Sequence, residues 1–272
     1  MICGGTGSLQ MEELRSLFAD GVVTLEYQET VDSTNEWAKR AFRTGARDAS
    51  VFLADHQSAG KGRLGRSWTS PEYTSISMSL LLRPQVSLEC LPMLTLVMGL
   101  SAAEGMREPA GLDIRIKWPN DVICRGRKLC GILTEFVSSP DGQEQAVVIG
   151  IGINVNVPSF PEELSDKATS LLLETGRPFS REEIIRHILW AFQRNYLIFR
   201  QTGDMSGLIG RYSALLSSKE KEVRIMEASG AWEGVALGVD NGGRLLVRRR
   251  DTGKVEAVFA GEVSVRGLLG YA

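Results

Sequence analysis

Apolar positions along this chain repeat with two different periods, and the change from one to the other outlines its elements. Short runs rich in β-branched and aliphatic residues at residues 22–27, 50–55 and 75–83 read as strands. Between the first two, Ser33, Thr34, Asn35 and Glu36 read as a capping box, with Ser33 and Glu36 exchanging hydrogen bonds with the first backbone amides. The helix this box opens would turn Trp37, Ala38, Ala41 and Phe42 inward and end at Gly45. Residues 88–106 read as a second helix, bounded by Pro84 and Pro109. Four strand-like segments follow at 113–117, 122–124, 128–136 and 146–154. Helical spacing then returns in Ile184, Ile185, Ile188, Leu189, Phe192, Tyr196 and Phe199, which predicts an amphipathic helix over 181–200, with a shorter one over 205–216.

From Glu222 the texture changes to five short strand-like runs, near 223–226, 232–239, 245–249, 255–259 and 263–266. Turn signals such as Asp240-Asn241-Gly242-Gly243 and Asp251-Thr252-Gly253 separate them at the spacing of a small antiparallel barrel. The pattern predicts an α+β chain with a boundary near Ser217, dividing it into residues 1–217 and 218–272.

Composition narrows the function classes. With 272 residues, 43% of them hydrophobic, the chain can hold a core without disulfides or structural metal. A net charge of -2 without a basic block at either end disfavours nucleic acid as the main partner. The longest apolar-rich stretch, 91–103, is short of the roughly 20 residues that span a bilayer. No membrane partner and a cytoplasmic location are the expectations. Cys3, Cys90, Cys124 and Cys130 form no C-x-x-C pair and are accompanied by only His56 and His187, so neither a disulfide nor a metal centre built from protein ligands is expected.

The segment from Gln57 to Trp68 interleaves Gly60, Gly62 and Gly65 with Lys61, Arg63 and Arg66. Glycine lets a backbone approach a ligand closely, and cations at every second or third place surround an anion. It is not a Walker A loop, since Gly62 follows the lysine where Ser or Thr should stand, nor a dinucleotide fingerprint, since strand rather than helix follows. On spacing alone it is either an anion-binding loop or a solvated hairpin. Lys117-Trp118-Pro119-Asn120-Asp121 taken alone is a turn between strands, and Gly150 and Gly152 would open one face of a strand.

Five ordered segments together resemble the catalytic domain of biotin protein ligases, the biotin-[acetyl-CoA-carboxylase] ligases: D-S-T-N from Asp32, G-K-G-R-x-G-R-x-W from Gly60, K-W-P-N-D from Lys117, R-K-L-C-G-I-L from Arg127 and G-I-G-I-N-V from Gly150. The resemblance runs from about Val31 to Arg266. It implies a mixed sheet with helices on one face, like that of class II aminoacyl-tRNA synthetases, followed by a small SH3-like barrel. Only about 20 residues precede the first strand, too few for the winged helix of members that bind DNA, so the monofunctional form is expected.

The resemblance implies that the ureido end of biotin meets Ser33, Thr34 and Gln57, that Gly131, Leu133, Gly150 and Gly152 line the apolar walls, and that Gly60, Lys61, Arg63 and Lys128 complete the biotin site. Arg63, Arg66, Trp68, Lys117, Asn120, Lys128, Asn154 and Arg266 would serve ATP, with Trp68 as the indole on adenine and Arg266 closing from the barrel. Lys128, Arg63 and Arg66 would supply the catalytic charge, with Mg²⁺ on the phosphates. Biotinyl-5'-AMP would form first, and its acyl group would pass to a lysine of the biotin carboxyl carrier protein of acetyl-CoA carboxylase or a related carboxylase. A homodimer is a candidate assembly. The rivals are a lipoate or octanoate ligase or transferase on the same fold, and a biotin sensor without turnover.

Overall fold

The computed structural model describes residues 7–18, 23–227, 230–260 and 264–267. In chain order, helix α1 (Met11–Leu17) precedes strand β1 (Thr24–Val31), helix α2 (Thr34–Arg43), β2 (Ser50–Gln57) and β3 (Ser75–Leu82). Next come α3 (Met93–Ala110), β4 (Ile114–Lys117), β5 (Asp121–Cys124), β6 (Arg127–Ser138) and β7 (Gln145–Asn154). Helices α4 (Leu171–Thr175), α5 (Arg181–Thr202) and α6 (Ile209–Leu215) lead to β8 (Glu222–Glu227), β9 (Gly230–Val239), β10 (Leu245–Arg249), β11 (Val255–Val258) and β12 (Ser264–Gly267).

The first seven strands form one mixed sheet in the order β1-β2-β3-β7-β6-β5-β4, and the last five form a small antiparallel sheet in the order β11-β10-β9-β8-β12. Only β1 and β2 run parallel, because α2 supplies the crossover between them; the remaining neighbours are antiparallel. The α+β reading of the hydrophobic pattern therefore holds.

Period 2 sorts the central strands onto two faces. On β7, Val147, Ile149, Ile151 and Ile153 enter the large core beneath α3 and α5, while Ala146 and Val148 meet Ala38 and Phe42 of α2 on the opposite side. Helices expected on one face are thus divided, with the long α3 and α5 on one side and the short α2 on the other. Trp37 of α2 meets Phe52 of β2 edge-on at 5.0 Å between ring centroids. Where α3 crosses α5 the backbones nearly touch, and a Cβ on Gly105 would lie 2.8 Å from the Ile188 Cα.

Several boundaries differ from the expected ones for local reasons. The capping box does not form: Ser33 is the extended N-cap residue, but its side chain makes no capping bond. Glu36 is drawn to Lys39 and Lys61, at 3.0 and 2.7 Å, and the Thr34 amide donates to Gln57 Oε1 at 2.8 Å in place of a local cap. Residues 88–90 form a separate 3-10 turn, and α3 starts after Pro92. Pro109 lies inside the last turn of α3, where its missing N–H removes one hydrogen bond without stopping the helix; Gly111 ends it with φ +66°. Both α1 and α4 are short and have no counterpart in the expected elements.

The two sheets are joined through buried polar contacts. Trp118, 2% exposed, donates its indole N–H to the Gly243 carbonyl at 2.9 Å, and the Met205 amide donates to Asn241 O at 2.9 Å. A second buried anchor stands two residues before Gln57. Asp55 Oδ1 is 2.6 Å from Arg181 Nη1, with side chains 0% and 2% exposed, and Asp55 Oδ2 accepts from the Tyr27 hydroxyl at 2.6 Å. Burial and the Asp55 carboxylate push the Tyr27 hydroxyl up to about 12. Arg181 also reaches the Ser75 and Gly7 carbonyls, so one guanidinium fixes the ends of β2, β3, α5 and the N-terminal segment.

Arg181→Met should leave Asp55 as an uncompensated buried charge and lower unfolding free energy by about 3 to 5 kcal/mol in urea titrations. Adding Asp55→Leu should restore much of that loss. If the single variant keeps the parental midpoint, the pair is not the anchor described.

Candidate active site

A row of small residues crosses the face of the large sheet that α2 leaves uncovered. Ser77 of β3 stands opposite Gly152 of β7, which stands opposite Gly131 of β6; beside it runs a second row of Ser79, Gly150 and Leu133. The three glycines are required by what approaches them. A Cβ on Gly150 would lie 2.1 Å from Asn35 Oδ1, one on Gly152 2.4 Å from Trp68 Cε2, and one on Gly131 3.0 Å from Lys128 Nζ. The result is a trough walled by Ser33, Thr34 and Gln57 at one end and by Arg63, Asn120 and Lys128 at the other.

At the first end, Gln57 Oε1 accepts from the Thr34 amide at 2.8 Å and from the Thr34 hydroxyl at 3.1 Å. A backbone N–H can only donate, so the oxygen of this amide must face α2. Its Nε2 then reaches Ser77 Oγ at 3.3 Å and retains a second hydrogen for the trough. Asn35 is fully engaged: it donates to Leu133 O at 3.2 Å and Glu135 Oε2 at 2.7 Å, and accepts from Ser79 at 2.6 Å. Glu135 continues to Lys39 at 2.5 Å, Lys39 to Glu36, and Glu36 to Lys61. Opposing lysines hold the Glu36 carboxyl below its ordinary value.

The loop from Gln57 to Trp68 is a compact hairpin. Trp68 N donates to Gly60 O at 2.9 Å and Gly62 N to Arg66 O at 2.7 Å, with a 3-10 turn at residues 63–65 between them. Arg63 donates to Asn120 Oδ1 at 2.7 Å and to Ala260 O at 2.5 Å, joining the loop to K-W-P-N-D and to the small sheet. Burial lowers the Arg63 pKa, yet a guanidinium remains a cation. Lys128 Nζ lies 2.7 Å from Asp121 Oδ1 and 5.6 Å from the Trp68 ring centroid.

Most of the residues singled out in the sequence meet here, and a few do not. Gly60 pairs with Trp68 at the base of the hairpin, outside the trough wall, where a Cβ would lie 2.3 Å from Trp68 O. Arg66 is exposed and outside the trough wall. Lys117 faces Asp121 across the β4–β5 ladder. Asn154, 4% exposed, gives its amide to Thr169 O at 3.1 Å. Arg266 lies on β12, but its side chain is outside the described residues. Trp68, expected on a nucleotide base, stacks over Gly152 and Gly131 in the trough itself. Sequence reasoning missed Asn35, Ser77, Ser79 and Glu135; the serines at 75, 77 and 79, alternating with apolar residues on one strand, were the available signal.

This geometry has relatives of known kind. The family model described as Biotin/lipoate A/B protein ligase family matches residues 27–154. The bifunctional ligase/repressor BirA of Bacillus spizizenii is 36% identical over 245 residues, 89% of this chain and 74% of the relative. The chain belongs to the biotin protein ligase family. A biotin-[acetyl-CoA-carboxylase] ligase of Mycobacterium tuberculosis is 34% identical over 224 residues, 79% of each chain. The biotin protein ligase of Aquifex aeolicus, solved in complex with biotin and ATP, superposes with a TM-score of 0.79 at 32% identity, covering 90% of this chain and 99% of its own.

Among the described residues no helix is long and apolar enough to cross a membrane, and no three or more His, Cys, Asp or Glu side chains are grouped to hold a metal. The described cysteines Cys90, Cys124 and Cys130 are free thiols. Burial, followed by the Glu174 carboxylate, pushes Cys124 up to about 11, and burial pushes the Cys130 thiol up further. At pH 8 only about one Cys124 in a thousand is then thiolate. Native protein treated with iodoacetamide at pH 8 should therefore label at Cys90 and spare Cys124 and Cys130, with Cys124 labelling rising about tenfold per pH unit. Equal labelling of all three at pH 8 would contradict this burial.

Proposed function

We propose that this chain activates biotin with ATP as biotinyl-5'-AMP and transfers the biotinyl group to a lysine of a biotin carboxyl carrier protein. The observation that carries this reading is the polarity of the trough, which places a fixed amide donor, Gln57 Nε2, at one end and the cations Arg63 and Lys128 at the other, with an apolar stretch between. An acid with a hydrogen-bonding head and a carboxylate tail matches that order. Octanoate has no polar head, and an enzyme for it or for lipoate would leave the Gln57 N–H without a partner.

In the first half-reaction the biotin carboxylate attacks the α-phosphorus of ATP and pyrophosphate leaves. Both reactants are anions, so the step needs positive charge held in place more than it needs a base. Lys128 and Arg63 supply it from the trough wall, and Arg66 stands outside as a cation for the departing phosphates. Mg²⁺ would arrive on the phosphates of ATP with much of its water shell. In the second half-reaction the neutral ε-amine of the acceptor lysine attacks the acyl carbonyl and AMP departs. Residues 1–217 would form the catalytic unit and 218–272 its cap, through the Arg63 contact to Ala260. The similarity to a structure solved with biotin and ATP supports the choice of ligands. A sensor that binds biotin without turnover would have no use for the Lys128–Asp121 arrangement.

Biotin-dependent ATP–pyrophosphate exchange tests the reading; exchange with lipoate or octanoate but not with biotin would overturn it. Lys128→Ala should lower the exchange rate by about a hundredfold to a thousandfold while leaving the folded protein intact. A parental rate in that variant would remove Lys128 from the mechanism.

Arg63→Gly should act differently, by loosening the hold on the adenylate. Losing charge-assisted hydrogen bonds of about 1.5 to 3 kcal/mol should speed escape of biotinyl-AMP by roughly tenfold to a hundredfold. The variant should then biotinylate serum albumin, which the parent leaves nearly untouched. An unchanged off-rate with strict acceptor selectivity would show that Arg63 is not the clamp.

A further inference from the structure

We infer that Glu174 is a positioning residue for Lys128, gripping the chain on both sides of that lysine from beneath the site. This rests on the reading of Lys128 as the activating cation. Glu174 belongs to the short helix α4, and its side chain is 0% exposed although it carries a carboxylate. A buried charge of this kind is retained only where its partners hold it, and two of those partners, Arg127 and Thr169, are joined directly to Lys128.

Glu174 Oε1 receives Arg127 Nη2 at 2.7 Å and the Thr169 hydroxyl at 2.6 Å. Oε2 lies 3.3 Å from Arg125 Nη1 but accepts no hydrogen bond. Arg125 and Arg127 flank Gly126 in the β5–β6 turn, where Arg125 and Gly126 both take positive φ, +47° and +77°. Arg127 is the residue before Lys128. On the other side, the Thr169 amide donates to Lys128 O at 2.8 Å, and Lys128 N donates to Lys167 O at 2.7 Å. Asn154 holds the same segment by donating to Thr169 O. One carboxylate therefore ties the turn that precedes Lys128 to the strand-like segment that brackets its peptide groups. The ammonium, projected onto Asp121 and Trp68, inherits its place from that grip.

Position, rather than binding of the acid, is what Glu174 controls. Glu174→Gln keeps an acceptor for Thr169 and loses the charge that holds the two arginines. It should reduce the maximal rate of biotin-dependent ATP–pyrophosphate exchange by about tenfold to a hundredfold, with the KM for biotin within about twofold of the parent. Glu174→Asp should restore part of the rate. In a Lys128→Ala background Glu174→Gln should cost nothing further, because a residue that acts only through Lys128 has nothing left to position. If Glu174→Gln does not fold, Arg127→Met breaks the same grip from the other side and should show the same rate loss and the same absence of further effect in Lys128→Ala.

Losses that multiply in the double variant, or a raised KM at an unchanged maximal rate, would overturn the inference. A second readout does not depend on turnover. Labelling of Lys128 by acetic anhydride, followed by peptide mass spectrometry, should rise about threefold in Glu174→Gln as the pair with Asp121 loosens. An unchanged labelling rate overturns the inference even if the parent proves inactive with biotin, and an inactive parent with raised labelling overturns the functional reading alone.

Discussion

One face of the large sheet has to stay bare across three adjacent strands, and the rest of the site depends on it. Gly131 of β6 and Gly150 and Gly152 of β7, beside Ser77 and Ser79 of β3, achieve this at the cost of packing, since glycine in a strand interior stabilises little and raises chain entropy in the unfolded state. The opposite side of the same strands offsets that loss. Ile132, Ile149, Ile151 and Ile153 are buried beneath α3 and α5, so the strands that are bare above carry an aliphatic core below. Period 2 makes this division possible, because a strand can give one face to stability and the other to a ligand without either constraint reaching the other. Helix α2 completes the arrangement by covering the half of the bare face that the trough does not use. Its first turn is then delivered to Gln57 and Gly150.

Clustered cations beside a cavity would repel one another, and the structure gives each a different partner. Lys61 and Lys128 face carboxylates, Glu36 and Asp121, whereas the hydrogen bonds of Arg63 go to the neutral oxygens of Asn120 and Ala260. An arriving phosphate competes with neutral acceptors for the hydrogen bonds of Arg63, but with a directly paired carboxylate for either lysine. Arg63 is accordingly the cation best prepared to change partners, and the contact it gives up is the one that reaches the small sheet. Lys128 is held by its carboxylate in a fixed position, which suits a group whose charge must already be in place when the phosphorus is attacked.

The legible parts of the sequence were those with a short-range physical signature. The strand-like runs at 75–83 and 146–154, the 3.6 period over 181–200 and the turn residues of the small sheet each follow from neighbours on the same element. The glycine-cation loop stood out by composition as an anion-binding loop or a solvated hairpin, whereas K-W-P-N-D, alone an ordinary turn, stood out only through the family resemblance. Failures occurred where a distant partner changed the outcome. The capping box at Ser33 was plausible locally, but Glu36 is claimed by Lys61, 25 residues away, and Thr34 is capped by Gln57. Asn35 and Glu135, separated by 100 residues, meet only because β6 and α2 share an edge of the trough. Pro109 predicted a helix end and instead lies within the last turn, where the bond it cannot make matters least.

Trp68 shows most directly how backbone and site chemistry constrain each other. Its indole lies against positions 131 and 152, and both lack a Cβ in the same register across β6 and β7. A methyl group at 152 would meet the ring at 2.4 Å, a separation no rotamer adjustment of a few tenths of an ångström can absorb. The ring, the Lys128 ammonium against Gly131 beside it and the two glycines are therefore one packing unit, and a change at any of them displaces the others. Lys128 is thereby fixed from three directions: by Asp121 at its charge, by Trp68 along its side chain, and through its own peptide groups by the 167–169 segment. A lysine carries four rotatable side-chain bonds, and holding it in one place needs restraints at both ends of that chain. The structure supplies them at both ends.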